Sequence, residues 1–124
     1  MEMKFYRCKH CGQIIAKVSD TGVPVVCCGE AMEELLPGMI DASLEKHVPV
    51  FEVKDNKVIV SIGSVAHPMT PEHYIEWVAI ETKYGNQRKR LSPGDEPVVY
   101  FALSEGDEVK HVYAYCNLHG LWRA

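Results

Sequence analysis

No window of this sequence approaches the roughly 18 uninterrupted apolar residues that mark a membrane-spanning helix. The N-terminus, MEMKFYRCKH, also lacks the apolar core of a signal peptide, so the expectation is a cytoplasmic protein with no membrane partner. An excess of positive charge is missing too: 13 Lys and Arg stand against 17 Asp and Glu, a formal charge of −4. Phosphate backbones are held by basic faces, which argues against nucleic acid as a main partner. The one basic run, QRKR (Gln87 to Arg90), lies between Gly85-Asn86 and Ser92-Pro93-Gly94 and reads as a solvated loop or hairpin end. Helical periodicity is scarce as well. No segment of about 12 residues carries a 3.6 repeat, and only GEAMEELL (29–36) has room for two helical turns.

What is present is strand and turn. Hydrophobic residues make up 47%, an ordinary globular share. A chain of 124 residues holds one ordinary domain, or a small module joined to a sandwich of roughly 90 residues. The composition changes at LLPGM (35–39), where Pro37-Gly38 marks a boundary. Residues 1–36 hold short β-prone pieces (KFY, QIIAKV, VPVV) with too little apolar surface to offset the entropy of ordering, so a staple is expected. Residues 37–124 read strand, turn, strand. PVFEVKDNKVIVSIG gives two strands around Asp55-Asn56, and HYIEWVAIET alternates Ile75, Trp77 and Ala79 against Tyr74, Glu76, Val78 and Ile80. EPVVYFALS and VKHVYAYC complete an antiparallel sandwich or barrel.

Five cysteines cannot all pair within one chain, and a reducing compartment favours metal over disulfide. Cys8-Lys9-His10-Cys11 is a C-x2-C knuckle, and Cys27-Cys28 completes four thiolates suited to a tetrahedral zinc or iron. Zinc there is a structural staple, whereas iron passes one electron with little rearrangement. The adjacent pair demands a tight, distorted turn, and Gly12 and Gly29 give the backbone room after each ligand pair. His10, inside a knuckle already filled by sulfur, reads as solvent-facing.

Cys116 stands apart in AYCNLHGLW (114–122), three residues before His119. His47 in EKHVP, His67 and His73 in AHPMTPEHY, and His119 all fall at strand ends or in loops, where a scaffold places functional groups. His111 lies within a strand and reads as structural. Four imidazoles and one thiolate exceed the four donors of structural zinc, suit iron, and leave a sixth position open.

Together CKHC…VCCGEAM, EKHVP, AHPMTPEHYIEW and CNLHGLW resemble desulfoferrodoxin, the two-iron form of superoxide reductase, over nearly the whole chain. The resemblance implies an all-β protein: a rubredoxin/desulforedoxin-like metal knuckle (1–36) followed by an immunoglobulin-like antiparallel β-sandwich (37–124). It implies two irons per chain, one on Cys8, Cys11, Cys27 and Cys28, the other on equatorial His47, His67, His73 and His119 with axial Cys116. Zinc is the alternative metal for the first site. The implied reaction is one-electron reduction of superoxide to hydrogen peroxide, fed by a rubredoxin-like donor in a homodimer. Lys46, beside His47, would steer the anion, and Glu45 would occupy the sixth iron position after turnover; a solvated ion pair is the plain alternative for these two.

Three rivals remain. A blue-copper carrier explains Cys116 and His119 but lacks an axial Met after them and leaves His67 and His73 surplus. A zinc-ribbon binding module explains only residues 8–28. A non-catalytic iron electron-transfer protein accounts for both clusters and predicts redox activity that superoxide does not consume.

Overall fold

The computed structural model describes residues 2–38 and 47–124. The chain divides into two compact units, Met1–Leu36 and Pro37–Ala124. Among the described residues there is no helix, and no helix long and apolar enough to cross a membrane.

The first unit is built from five short strands: β1 (Phe5–Arg7), β2 (Ile14–Ala16), β3 (Val26–Cys27), β4 (Glu30–Ala31) and β5 (Glu33–Glu34). One sheet has the order β2-β1-β5, and β3 and β4 form a separate ribbon. GEAMEELL therefore supplies two strands rather than helical turns. The reason is pairing: Glu33 and Glu34 lie opposite Arg7 and Tyr6, while Glu30 and Ala31 lie opposite Cys27 and Val26, and this tertiary demand outweighs a weak helical preference. Among the unit's described residues only Phe5 and Cys8 are buried.

Among its described residues the second unit has seven strands: β6 (Pro49–Lys54), β7 (Lys57–Ile62), β8 (Ile75–Thr82), β9 (Gly85–Arg90), β10 (Val98–Ala102), β11 (Val109–Cys116) and β12 (Gly120–Arg123). They form two antiparallel sheets, β10-β7-β6 and β12-β11-β8-β9, the two-sheet layout of an immunoglobulin-like sandwich. Asp55 and Asn56 both take positive φ (51° and 61°), the two-residue turn whose twist matches a hairpin, so β6 and β7 pair tightly. Alternation then sets the core: Val58, Val60 and Ile62 of β7, with Val99 and Phe101 of β10, face Val78 and Ile80 of β8 and Val112, Ala114 and Cys116 of β11. Each fully buried aliphatic side chain contributes about 1.5–3 kcal/mol relative to exposure, so this unit has a core that the first lacks.

One irregularity changes the expected pattern. Tyr115 lies opposite Trp77, yet Cys116 lies opposite Ile75, so Glu76 is an extra residue in β8. Such a bulge reverses the side-chain parity beyond it. Val78 and Ile80, not Trp77 and Ala79, belong to the core row, and Ile75 rejoins that row beside Cys116.

The QRKR run also differs from expectation: it is strand, not loop, and forms the edge of its sheet as β9. Its residues obey a period of two. Gln87 Nε2 donates to the Ala102 carbonyl at 2.7 Å, and Lys89 Nζ donates to the Tyr100 carbonyl and sits over the Phe101 ring, so both reach towards β10 in the other sheet. Arg88 and Arg90 point the other way, and their charge keeps the edge from pairing with a further strand.

Candidate metal centres

In the first unit the turn between β3 and β4 consists of Cys28 and Gly29, both with positive φ (52° and 80°). A two-residue hairpin turn of this kind requires left-handed backbone at both positions, which Gly29 adopts freely and Cys28 adopts at a cost. The turn brings two adjacent sulfurs to one side. Opposite it, the knuckle is tightened by Gly12 N–H donating to the Cys8 carbonyl and Cys8 N–H donating to the Gln13 carbonyl, each at 2.9 Å. The sulfurs of Cys8, Cys11, Cys27 and Cys28 all lie within 4.8 Å of one another. Four sulfurs about 2.3 Å from a common centre would be ~3.8 Å apart. The Cys11–Cys27 and Cys27–Cys28 separations, 3.6 and 4.0 Å, bracket that value.

The thiols differ in acidity. The Cys11 amide N–H, aided by that of His10, draws the Cys8 thiol down to about 6. Cys27, crowded by the sulfurs of Cys11 and Cys8, is pushed up to about 12. Four thiolates this close repel one another, and a shared cation makes full ionisation of all four compatible with the fold. His10 faces outward beside Glu30, its Nε2 3.2 Å from one carboxylate oxygen while Lys9 Nζ pairs with the other at 2.7 Å, as expected for a residue that is not a ligand.

In the second unit the strand ends deliver the other set. His47 precedes β6, His67 and His73 lie on the β7–β8 connection, and Cys116 and His119 bracket the β11–β12 turn. The turn at His73 is fixed by reciprocal backbone bonds with Thr70 at 3.0 and 3.1 Å. The four imidazoles form a closed ring: His47–His67, His67–His73, His73–His119 and His119–His47 have centroid separations of 4.9, 4.7, 5.0 and 4.7 Å. The His47–His73 diagonal is 6.4 Å, longer than any side, as in a slightly puckered square. Donor atoms of His47, His67, His73 and Cys116 lie within 4.8 Å of one another, and His119 Nδ1 joins them at 2.9 Å from His47 Nε2 and 3.8 Å from Cys116 Sγ. Two ordinary metal–nitrogen bonds end to end span roughly 4.2 Å, so one ion can reach the whole set.

His67 gives a sharper test of fit. Its Nδ1 is 2.7 Å from the Pro68 carbonyl, which can only accept, so Nδ1 carries the proton and the Nε2 lone pair faces the cluster. That Nε2 is buried with no hydrogen-bond partner among the described residues. An orphaned buried acceptor is costly, and a metal ion removes the cost. Burial holds the His67 imidazole down to about 4, so it stays neutral and able to ligate near neutral pH. Cys116 is fully buried; burial pushes its thiol up, while the amides of Leu118 and His119 pull the other way. A divalent ion at the sulfur offsets the desolvation.

Comparison with known proteins decides the family. Residues 39–124 match desulfoferrodoxin, and residues 1–35 match the desulfoferrodoxin N-terminal domain. The chain belongs to the desulfoferrodoxin family. A desulfoferrodoxin homolog from Archaeoglobus fulgidus is 45% identical over 98% of this chain and 96% of its own length. The desulfoferrodoxin of Nitratidesulfovibrio vulgaris is 42% identical over 99% and 96%. The crystal structure of the superoxide reductase from Treponema pallidum superposes with a TM-score of 0.87 at 41% identity, covering 99% of this chain and 98% of that one. The two donor sets fit the two iron centres of a desulfoferrodoxin, and five donors in the second exceed what structural zinc takes.

Two contacts at the second centre join residues whose pairing the motifs do not give. Trp122 stacks on His47 (4.8 Å, 17°), and Gly38 lies against Trp122, where a Cβ would meet the ring at 2.7 Å. Asn117 clasps Tyr74: its N–H donates to the Tyr74 carbonyl at 3.2 Å and its Oδ1 accepts from the Tyr74 N–H at 2.9 Å, tying the Cys116 turn to the start of β8. Trp122 sits within the quoted CNLHGLW, yet the sequence does not say which ring it faces. Glu45 and Lys46 lie outside the described residues.

Proposed function

We infer that this chain is a superoxide reductase, which takes superoxide to hydrogen peroxide with one electron and two protons. The observation that supports this best is the square of four imidazoles joined by a buried cysteine, in a chain similar over nearly its full length to the Treponema pallidum superoxide reductase. When bound, ferrous iron supplies the transferred electron. In this reading His47, His67, His73, His119 and Cys116 would hold that iron, and it would supply a site for the substrate anion beside them. Neutral imidazoles with a single thiolate leave a divalent centre net positive, which attracts a small anion into an otherwise acidic protein. Pro68, through its carbonyl, holds the His67 tautomer that ligation needs. Lys46, adjacent to His47 in sequence, would add charge for capture, and Glu45 would close the site after turnover. Cys8, Cys11, Cys27 and Cys28 hold a second, desulforedoxin-like iron. A rubredoxin-like carrier in the cytoplasm restores the reduced state, and the working form is a homodimer.

Stoichiometry tests the central claim. The reduced, iron-loaded chain should yield one hydrogen peroxide for each superoxide consumed, with no dioxygen, whereas dismutation returns half its substrate as dioxygen. If superoxide decays at the buffer's own rate while the irons still exchange electrons with a donor, the chain is a non-catalytic iron carrier.

A further inference from the structure

The outward face of β9 concentrates charge of the sign that the chain as a whole lacks. A cleft of about 730 Å³ lies there, lined by Tyr74, Glu76, Trp77, Arg88, Arg90 and Leu91. Arg88 and Arg90 lie opposite Ala79 and Trp77 in the ladder and are exposed. Trp77 is buried and stacks on Tyr115 (5.4 Å, 6°), which gives the cleft a rigid aromatic floor. Tyr74, on its wall, exchanges two hydrogen bonds with Asn117, and Asn117 is covalently next to Cys116. Between the cleft wall and the Cys116 sulfur there is thus a single hydrogen-bond step, the rest being covalent bonds.

We propose that this cleft is the docking face for an acidic one-electron carrier protein, and that its electron reaches Cys116 through the Tyr74–Asn117 hydrogen bonds. The proposal rests on the reductase reading, because only a centre that is oxidised in turnover needs refilling. The step is balanced: the carrier is oxidised by one electron, the catalytic iron is reduced by one, and no bond or proton changes place. Electrostatics favour this occupant. A chain of formal charge −4 repels an acidic partner over most of its surface, so a local pair of guanidinium groups sets both encounter rate and orientation. Weak electron-transfer encounters use small interfaces, below about 1,200 Å², and an aromatic floor with a charged rim suits one that must dissociate after every turnover. Nucleic acid fits less well. Its affinity comes from neutralising several phosphates at once, and Lys89, which also lines the cleft, has its Nζ engaged by the Tyr100 carbonyl, while Glu76 adds a carboxylate there.

The test uses the full-length, iron-loaded chain and an acidic rubredoxin as carrier. Calorimetry on the two oxidised proteins at low ionic strength reads docking, stopped-flow reads re-reduction of the catalytic iron, and a superoxide pulse reads its oxidation. Arg88→Glu with Arg90→Glu should weaken docking and slow re-reduction at least tenfold and flatten the salt dependence, with oxidation by superoxide unchanged. Arg88→Gln with Arg90→Gln should fall between reversal and wild type. Asn117→Ala should slow re-reduction while sparing carrier affinity. Unchanged docking and re-reduction in the charge-reversed chain would overturn the proposal and leave the reductase intact. So would a short DNA duplex that binds through these arginines without competing with the carrier. A wild-type chain that docks and accepts electrons but ignores superoxide would instead sink the reductase reading, so the two failures are distinguishable.

Discussion

Gly38→Ala isolates how the second centre is held. The Gly38 Cα faces the Trp122 indole so closely that an added Cβ would lie 2.7 Å from Cε3 and Cζ3, a separation carbon atoms do not tolerate. Gly38 cannot simply withdraw. Its N–H donates to the Leu121 carbonyl at 2.9 Å, and its own carbonyl accepts from the Arg123 N–H at 2.8 Å. Releasing both bonds costs about 1 kcal/mol each. Nor is the indole a flexible tip, since it stacks on His47 at 4.8 Å. Either the chain peels from β12 or the ring is driven into a ligand. Overpacking of this kind costs typically 1–3 kcal/mol, and a domain of this size loses roughly 4–8 °C in Tm per kcal/mol. The strain is directional, so the second iron should report it as well. Thermal unfolding of the iron-loaded variant should begin several degrees lower, and the visible band of the Cys116-bound iron should shift or broaden while the band of the four-cysteine iron stays put. Gly38→Ala with wild-type stability and an unmoved Cys116 band would refute the idea that Gly38 and Trp122 brace His47.

Three further outcomes follow from the same geometry. Cys116→Ser replaces a polarisable thiolate at a fully buried position, so the thiolate-to-iron band should vanish and superoxide turnover collapse; an unchanged spectrum removes Cys116 from the centre. Lys46→Ala should slow the encounter with superoxide several-fold and flatten its ionic-strength dependence at constant iron content, and no change in either discards steering by this residue. Removing metal from the whole chain should melt the first unit, where among the described residues only Phe5 and Cys8 are buried, while the aliphatic core of the second keeps its fold; amide exchange resolved by residue shows whether residues 2–36 exchange freely while Val58 to Cys116 stay protected.

The donors were legible because chemistry restricts them to a few residue types at strand ends: the structure gathers Cys8, Cys11, Cys27 and Cys28 in one place, and His47, His67, His73, His119 and Cys116 in another. Strands with plain alternation, such as Val58, Val60 and Ile62, were legible for a similar reason, since one buried face dictates a period of two. What escaped were facts that depend on a partner far away in sequence. Glu76 as a bulge exists only against Tyr115 and Cys116, and its effect is to turn Ile75 back to the core beside the thiol. QRKR looks like a loop when its charge is counted, because the signal of an edge strand lies in what its alternate residues reach: Gln87 and Lys89 grip β10, leaving Arg88 and Arg90 outward. GEAMEELL looks helical until β1 and β3 claim its backbone. In each case local composition was overruled by a ladder, and in two of the three the ladder bears on a metal centre. The bulge turns Ile75 into the core row beside Cys116, and the β3–β4 turn holds Cys28 left-handed so that the adjacent cysteines lie on one side. The motif names the candidate donors, and the pairing of distant strands sets the positions from which they could share a metal.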